Sequence, residues 1–479
     1  MRPDLALRAP GAVLLVSCYE LGHQPLGIAW PRAFLERAGY APAHLDLGIE
    51  AFDEERVRDA RCVGIAVPMH TALRLGVRVA ERIRRLNPSC IIAFYGLYAW
   101  LNASYLLAGI ADAVFGGEFE APFVALLDRL ERDGRAALGH AERSVSRPDY
   151  PLPQRAGLPP LERYVHLARG PRRTPAGYVE ASRGCLHACL HCPITPVYEG
   201  RFVAVPRDVV LADIRQLVAA GAGHITFGDP DFLNGPTHAV KLVRALHAEF
   251  PQVTWDCTTK VEHILRHRAL FPELGARGGA FVVSAVESLS DVVLGQLEKG
   301  HRGADVPVAL DIVRGAGMAL RPSFVAFTPW TTLADYLALL EFVATADLID
   351  EVDPVQWTIR LLVPPGSALL RRDAIQPYLG PLDRAALTWR WTHPDPRMDA
   401  LQAEVARLVA AAARSGEPAR PTFGRIQAAA AQAAGTAPGT AVPALARRRA
   451  SAHLTEPWFC CAEPTEEQFD ALERLSGAV

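Results

Sequence analysis

The sequence predicts an α/β protein with three parts: a doubly wound N-terminal domain, a partial (β/α)6 barrel, and a mostly helical C-terminal extension. Two separate alternations of short apolar runs with helical stretches predict the first two parts. A proline- and arginine-rich segment between them marks the boundary.

In the first alternation GAVLLVSC, RCVGIAVP, CIIAFYG and the short ADAVFGG read as strands. IAWPRAFLERAG, HTALRLGVRVAERIRRLNP and FEAPFVALLDRLERDG read as helices. Strands separated by helices of this length imply a parallel, Rossmann-like sheet, over residues 1–135. Residues 136–176, with RPDYPLPQRAGLPPL, read as a surface linker. The second alternation offers six candidate strands over 177–365: YVEASRG, HITFGD, VTWDCTTK, AFVVSAVES, RPSFVAF and VQWTIRLLV. PRDVVLADIRQLVAAG and PTHAVKLVRALHAEF are two of the helices between them. Such βα units make a partial TIM-type barrel, whose chemistry sits at the C-terminal ends of its strands. Residues 366–479 carry the amphipathic MDALQAEVARLVAAAARSG and the alanine-rich RIQAAAAQAAG. GTAPGTAVPALARRRASAHL reads as a loop wrapping over the barrel, and TEEQFDALERL opens with a T-x-x-Q capping box.

Formal net charge is -2 over 479 residues, which gives no field for nucleic acid or an anionic membrane. No apolar run approaches the ~18 residues of a membrane span, and Val13-Leu14-Leu15-Val16 is too short for a signal segment. The nine cysteines are odd in number and are not spread as a disulfide framework, which points to a reducing, cytoplasmic setting. Cys18, Cys62, Cys90 and Cys257 lie in or beside apolar strand runs and read as core thiols.

Cys185, Cys189 and Cys192 stand in the spacing C-x3-C-x2-C within ASRGCLHACLHCPI, just after the first barrel strand. At about one cysteine in fifty residues, two more at fixed offsets arise by chance roughly once in 2,500 tries. A structural zinc site wants four ligands, which His187 or His191 would have to complete. Three thiolates on a four-iron cube leave one iron free, and an open metal position is a mark of catalysis.

The motif resembles that of the radical S-adenosylmethionine (radical SAM) superfamily. The resemblance implies a [4Fe-4S] cluster on Cys185, Cys189 and Cys192, with S-adenosylmethionine chelating the free iron. It places His191 beside the adenine. It gives Gly228, Asp229 and Pro230 of GDPDF contacts to the methionine amine, and gives Glu287 and Ser288 of VESLSDVVLGQLEKG contacts to the ribose or carboxylate. It also implies a reducing donor such as flavodoxin or ferredoxin. Lys260, Arg321 and Arg360, near predicted strand ends, read instead as ion-paired residues.

The N-terminal domain resembles the cobalamin-binding domain of one radical SAM class, through GHQPLGIAWPRAFLERAGY and the Gly116-Gly117 pair where a nucleotide tail would pass. The D-x-H-x-x-G motif that supplies an axial histidine is absent, and neither His23 nor His70 has that context. Cobalamin binding and a vestigial scaffold both stay open.

The tail, LTEPWFCCAEPTEEQ, holds adjacent Cys460 and Cys461 before Glu463. Neighbouring cysteines form a disulfide only in a strained ring, and paired soft thiolates suit a thiophilic ligand. CCAEP resembles the CUAEP/CCAEP-tail radical SAM subgroup associated with arsinothricin-type biosynthesis. That resemblance implies transfer of the 3-amino-3-carboxypropyl group of S-adenosylmethionine to trivalent arsenic held by Cys460 and Cys461, with arsenite or a related small molecule as substrate. Two alternatives stand beside it: a cobalamin-dependent radical SAM methyltransferase, and a non-catalytic thiol protein that binds arsenicals or metals.

Overall fold

The computed structural model describes residues 6–436, 451–456, 463–466 and 468–470. Strands β1 (Val13–Ser17), β2 (Ala43–Asp46), β3 (Cys62–Ala66), β4 (Ile91–Tyr95), β5 (Ala113–Gly117) and β6 (His140–Ser144) form one parallel sheet. Their order is β2-β1-β3-β4-β5-β6. Helices cover both faces, so β1, β3, β4 and β5 are buried at every position and read as unbroken apolar runs. The chain leaves β1 toward β2 on one side, while β3 lies on the other. The crevice at their C-terminal ends is the switch point where such sheets take ligands.

The stretch read as a linker carries structure. It contains β6 and β7 (His166–Arg169), and most of its prolines lie between them. β7 forms an antiparallel hairpin with β8 (Arg172–Val179), the first strand of the barrel. β9 (Ser182–Gly184) and β10 (Phe202–Ala204) make a small antiparallel ladder around the cysteine loop. Beyond β8 the sheet continues in parallel through β11 (His224–Phe227), β12 (Thr254–Thr258), β13 (Gly279–Glu287) and β14 (Ala319–Phe324).

The sixth predicted strand, VQWTIRLLV, is not a strand. Pro354 opens a 3-10 segment, Pro354–Thr358, and proline has no N–H to give a ladder. A single bridge between Phe327 and Arg360 stands in the sixth position. The barrel is therefore an open half-barrel of five parallel strands.

After a short hairpin of β15 (Leu379–Asp383) and β16 (Thr388–Trp391), the two predicted C-terminal helices appear as Pro396–Ser415 and Ala419–Ala434. Phe423 packs edge-on against Trp357 at 5.3 Å, so these helices close the side of the half-barrel. Most of the predicted wrapping loop lies outside the described residues. Its end forms β17 (His453–Leu454), antiparallel to β7. The T-x-x-Q capping box forms: Gln468 N donates to Thr465 Oγ1 at 3.1 Å, and Thr465 N donates to Gln468 Oε1 at 2.9 Å. No helix among the described residues is long and apolar enough to cross a membrane.

Candidate active site

The cysteine loop is held from several sides at the C-terminal ends of the barrel strands. Gly184, immediately before Cys185, has φ +75°, and a Cβ there would lie 2.5 Å from the Arg201 carbonyl oxygen. Only glycine meets both conditions. Asp229, following β11, accepts from Ala181 N at 2.9 Å and from the Ser182 hydroxyl at 2.5 Å. Leu190 N donates to Leu297 O at 3.0 Å, and the Thr195 hydroxyl donates to Cys189 O at 2.9 Å. Asn234 Oδ1 accepts from Leu186 N at 3.2 Å and lies 3.8 Å from Cys185 Sγ.

The thiols perturb one another. Burial first, then the neighbouring Cys189, pushes the Cys192 thiol up to about 12, against the pull of Lys299. Burial likewise raises Cys185, helped by Asp231 and Cys189. Cys185 and Cys192 are thus reluctant to lose their protons, which a metal would have to displace. Lys299, only 3% exposed, has its ammonium favoured by Glu287, Cys189 and Cys192 against the cost of burial.

Glu287 ends β13 at a register shift with β14 and has φ +65°. This is the left-handed region, in which a non-glycine residue is strained. Its carboxylate lies 3.1 Å from His191 Nε2 and 3.2 Å from Lys299 Nζ. Burial works to raise the Glu287 carboxyl, but Lys299 and His191 outweigh it and hold it at about 2. His191 Nδ1 remains buried with no hydrogen-bond partner.

The structure therefore brings together Cys185, Cys189, Cys192, His191 and Glu287. Ser288 is buried beside them, with its hydroxyl accepting from Ser290 N at 3.1 Å. Gly228 and Asp229 also carry contacts within the protein. A Cβ at Gly228 would meet the Tyr178 ring at 2.2 Å, and both Asp229 oxygens are taken by the segment leading into the loop. Burial raises the Asp229 carboxyl to about 7, offset in part by Ser182 and Ala181. Pro230 is half-buried next to them. Cys460 and Cys461 lie outside the described residues.

Sequence reasoning missed Lys299, Asn234, Asp231, His263 and Arg183, and weighed His187 only as a fourth zinc ligand. Lys299 stands near the end of the second quoted motif, after the helix Asp291–Leu297, and Asn234 lies two residues beyond the first, in a 3-10 turn. Arg321 pairs with Asp353 at 2.9 Å, Arg360 with Asp399 at 2.6 Å, and Lys260 with Glu262 at 3.5 Å, as expected of ion-paired residues. Cys18, Cys62, Cys90 and Cys257 are buried free thiols.

The N-terminal domain meets this mouth with the C-terminal edge of its sheet. Arg183, two residues before Cys185, pairs with Glu120 at 2.7 Å, Glu180 at 2.8 Å and Glu118 at 3.3 Å. His23 stacks on Tyr178 at 4.5 Å. At Gly116 and Gly117, where a nucleotide tail was expected to pass, a Cβ would meet Trp100 at the first and the Ser144 carbonyl at the second, where φ is +70°. The tail docks on the same edge. Tyr19, after β1, donates to Glu456 at 3.0 Å. His70, after β3, lies 3.0 Å from Glu463, which also pairs with Arg74.

No protein-family model matches the chain. Over 290 residues it is 22% identical to a tRNA-2-methylthio-N(6)-dimethylallyladenosine synthase of Thiobacillus denitrificans, covering 55% of this chain and 58% of that protein. Over 217 residues it is 27% identical to a ribosomal protein uS12 methylthiotransferase, RimO, of Solibacter usitatus, covering 40% and 45%. The chain thus spans about half the length of the curated relatives it matches. Among solved structures it is similar to the cobalamin-dependent S-adenosylmethionine radical enzyme OxsB with aqua-cobalamin bound. The TM-score there is 0.65 at 13% identity, over 85% of this chain and 67% of that one. It is also similar to the radical S-adenosylmethionine methyltransferase TsrM of Kitasatospora setae, with a TM-score of 0.56 at 18% identity, over 70% and 71%. The chain has the fold of the cobalamin-dependent radical S-adenosylmethionine enzymes.

Proposed function

We propose that the chain is a radical SAM enzyme in which Cys185, Cys189 and Cys192 hold a [4Fe-4S] cluster at the mouth of the half-barrel. The observation that carries this reading is the trio of thiols at the strand ends, with Lys299, Glu287 and His191 around it. The donor set fits. Among the described residues, the three sulfurs do not come within 4.8 Å of one another as a set, wider than the ~3.8 Å edge around a single tetrahedral zinc. His187 turns its ring nitrogens toward Asp231 and Glu262, so it does not complete a zinc site with the thiols. The orphaned Nδ1 of His191 offers a buried polar atom to S-adenosylmethionine.

When bound, the cluster and S-adenosylmethionine supply an electron and a carbon radical. The chain supplies the rest. Lys299 offsets negative charge at Cys189 and Cys192, and Glu287 fixes Lys299 and His191 in place. Asp229 positions the loop, and Gly228 and Pro230 let it approach. A flavodoxin or ferredoxin supplies the reducing equivalent.

The finer reading is transfer of the 3-amino-3-carboxypropyl group to a trivalent arsenical, with Cys460 and Cys461 holding the arsenic. It rests on the CCAEP resemblance and on the thiophilicity of arsenic. The flanking residues support it. Glu456 and Glu463 dock on the N-terminal sheet edge that also holds Arg183 beside the cysteine loop. Anaerobic reconstitution followed by mass spectrometry with and without arsenite tests it. Methylthioadenosine and an arsenic–carbon product are expected, and 5′-deoxyadenosine alone overturns the transfer.

A second reading, a cobalamin-dependent methyltransferase, is favoured by the β1/β3 switch point. On that edge His70 Nε2 is paired with Glu463 and the His23 ring is stacked on Tyr178, while Nδ1 of each histidine is buried with no hydrogen-bond partner. A corrinoid that copurifies, with S-adenosylhomocysteine among the products, would select this reading.

A further inference from the structure

We propose that His187, Asp231 and His263 form a second metal site, for a borderline divalent ion such as zinc(II) or iron(II), beside the three thiols but separate from them. One ligand atom from each residue lies within 4.8 Å of the other two, and among the described residues no other trio of His, Cys, Asp or Glu does so. The three come from different elements. His187 lies between Cys185 and Cys189, Asp231 follows β11, and His263 is in the helix Val261–Arg266 that follows β12. Asp231 is fully buried and His263 is 3% exposed.

The local geometry is that of ligands around a centre. A single carboxylate oxygen, Asp231 Oδ2, faces His263 Nδ1 at 2.9 Å and His187 Nε2 at 3.6 Å. Both nitrogens are buried, and neither is aligned for a hydrogen bond. Both imidazoles turn a nitrogen to the same carboxylate oxygen, with their rings 4.5 Å apart, so a cation between the three atoms would face all of them at once. Tetrahedral zinc with nitrogen and oxygen ligands near 2.0–2.1 Å sets its ligand atoms ~3.4 Å apart, which the observed spacings bracket.

The surroundings also fit. Asp231 Oδ1 accepts from the Thr259 hydroxyl at 2.7 Å and from Leu233 N at 3.0 Å, which fixes the carboxylate and leaves Oδ2 toward the histidines. His187 Nδ1 lies 3.5 Å from Glu262 Oε2, the carboxylate behind an imidazole that metal sites use to orient a ligand. Two imidazoles and one carboxylate suit zinc or iron(II) better than magnesium or calcium. Three protein ligands leave a coordination position open for water or a substrate donor. Through His187 the ion would pin the cysteine loop to the ends of β11 and β12.

The test is independent of the cluster. In full-length protein carrying Cys185→Ala, Cys189→Ala and Cys192→Ala, anaerobic titration with cobalt(II) is expected to give a visible ligand-field band saturating at one equivalent and displaced by zinc(II). Adding His263→Gln or Asp231→Asn to that background should weaken binding at least tenfold. Zinc(II) should raise the thermal unfolding midpoint of the parent but not of a His187→Gln derivative, a readout that serves if either other variant fails to fold. Absence of saturable binding in the folded parent, or binding that survives all three substitutions, overturns the proposal. Neither result bears on iron content of the unsubstituted loop, which tests the cluster separately.

Discussion

Replacing Glu287 by glutamine removes one negative charge from a buried cluster whose other members are Lys299 and His191. Glutamine keeps the size of the side chain and the strained φ of +65°, so the change isolates the charge. In the folded protein Lys299 and His191 hold the Glu287 carboxyl at about 2, against an ordinary value of 4.5. That drop corresponds to roughly 3 kcal/mol of preference for the charged form. Removing one member of a buried pair costs about 3–5 kcal/mol because the other is stranded, so the two routes agree. A carboxyl with a depressed value stabilises the fold above its unfolded value, and that contribution fades as pH falls from 4.5 toward 2. Urea unfolding should therefore show Glu287→Gln destabilised by about 3 kcal/mol at pH 7, with the gap from wild type narrowing below pH 4. Pairing it with Lys299→Met should recover about 1–3 kcal/mol relative to the sum of the single changes. Additive single changes, or a cost below about 1 kcal/mol at pH 7, would refute the idea that Glu287 and Lys299 act as one unit.

Gly184→Ala should cost at least about 1–2 kcal/mol from the left-handed backbone alone, more from the Arg201 carbonyl, and should lower the iron retained after reconstitution. Asp229→Asn keeps one acceptor oxygen and turns the other into a donor, so either Ala181 N or the Ser182 hydroxyl loses its acceptor, at about 1–3 kcal/mol. The raised Asp229 carboxyl makes its contribution to wild-type stability fall as pH climbs from 3.8 to about 7, and urea midpoints at pH 5 and 8 should show that decline absent from the variant. Arg183→Met strands Glu118, Glu120 and Glu180 and should cost about 3–5 kcal/mol at pH 8. The loss should be smaller at pH 5, where Glu120, which burial raises to about 7, takes up a proton.

The site was legible where chemistry dictates spacing. Cys185, Cys189 and Cys192 stand out because three thiols must reach one small object from one loop. Lys299 and Asn234 did not, because a lysine after a helix or an asparagine in a turn has many uses and only the folded chain shows which one applies. The buried strands β1, β3, β4 and β5 declare themselves by unbroken apolar runs. The edge strands β2, AHLD, and β6, HAERS, bury less and carry polar residues, so no apolar pattern marks them. VQWTIRLLV misleads in the other direction. Val355 and Trp357 are buried, so the segment has strand-like composition, yet the proline at its head and its 3-10 turn leave one bridge where a ladder was expected. Asp229 was found from its motif but its bonds to Ala181 and Ser182 were not, since a motif locates a residue without saying where its oxygens point.

Arg183 fastens two domains with a single side chain. Swinging the N-terminal domain away would return the guanidinium and its carboxylates to water, so the cluster holds the halves together by less than the ~3–5 kcal/mol that stranding one buried partner costs. What it fixes is how the two halves line up: only one alignment brings Glu118 and Glu120 onto the side chain two residues ahead of Cys185.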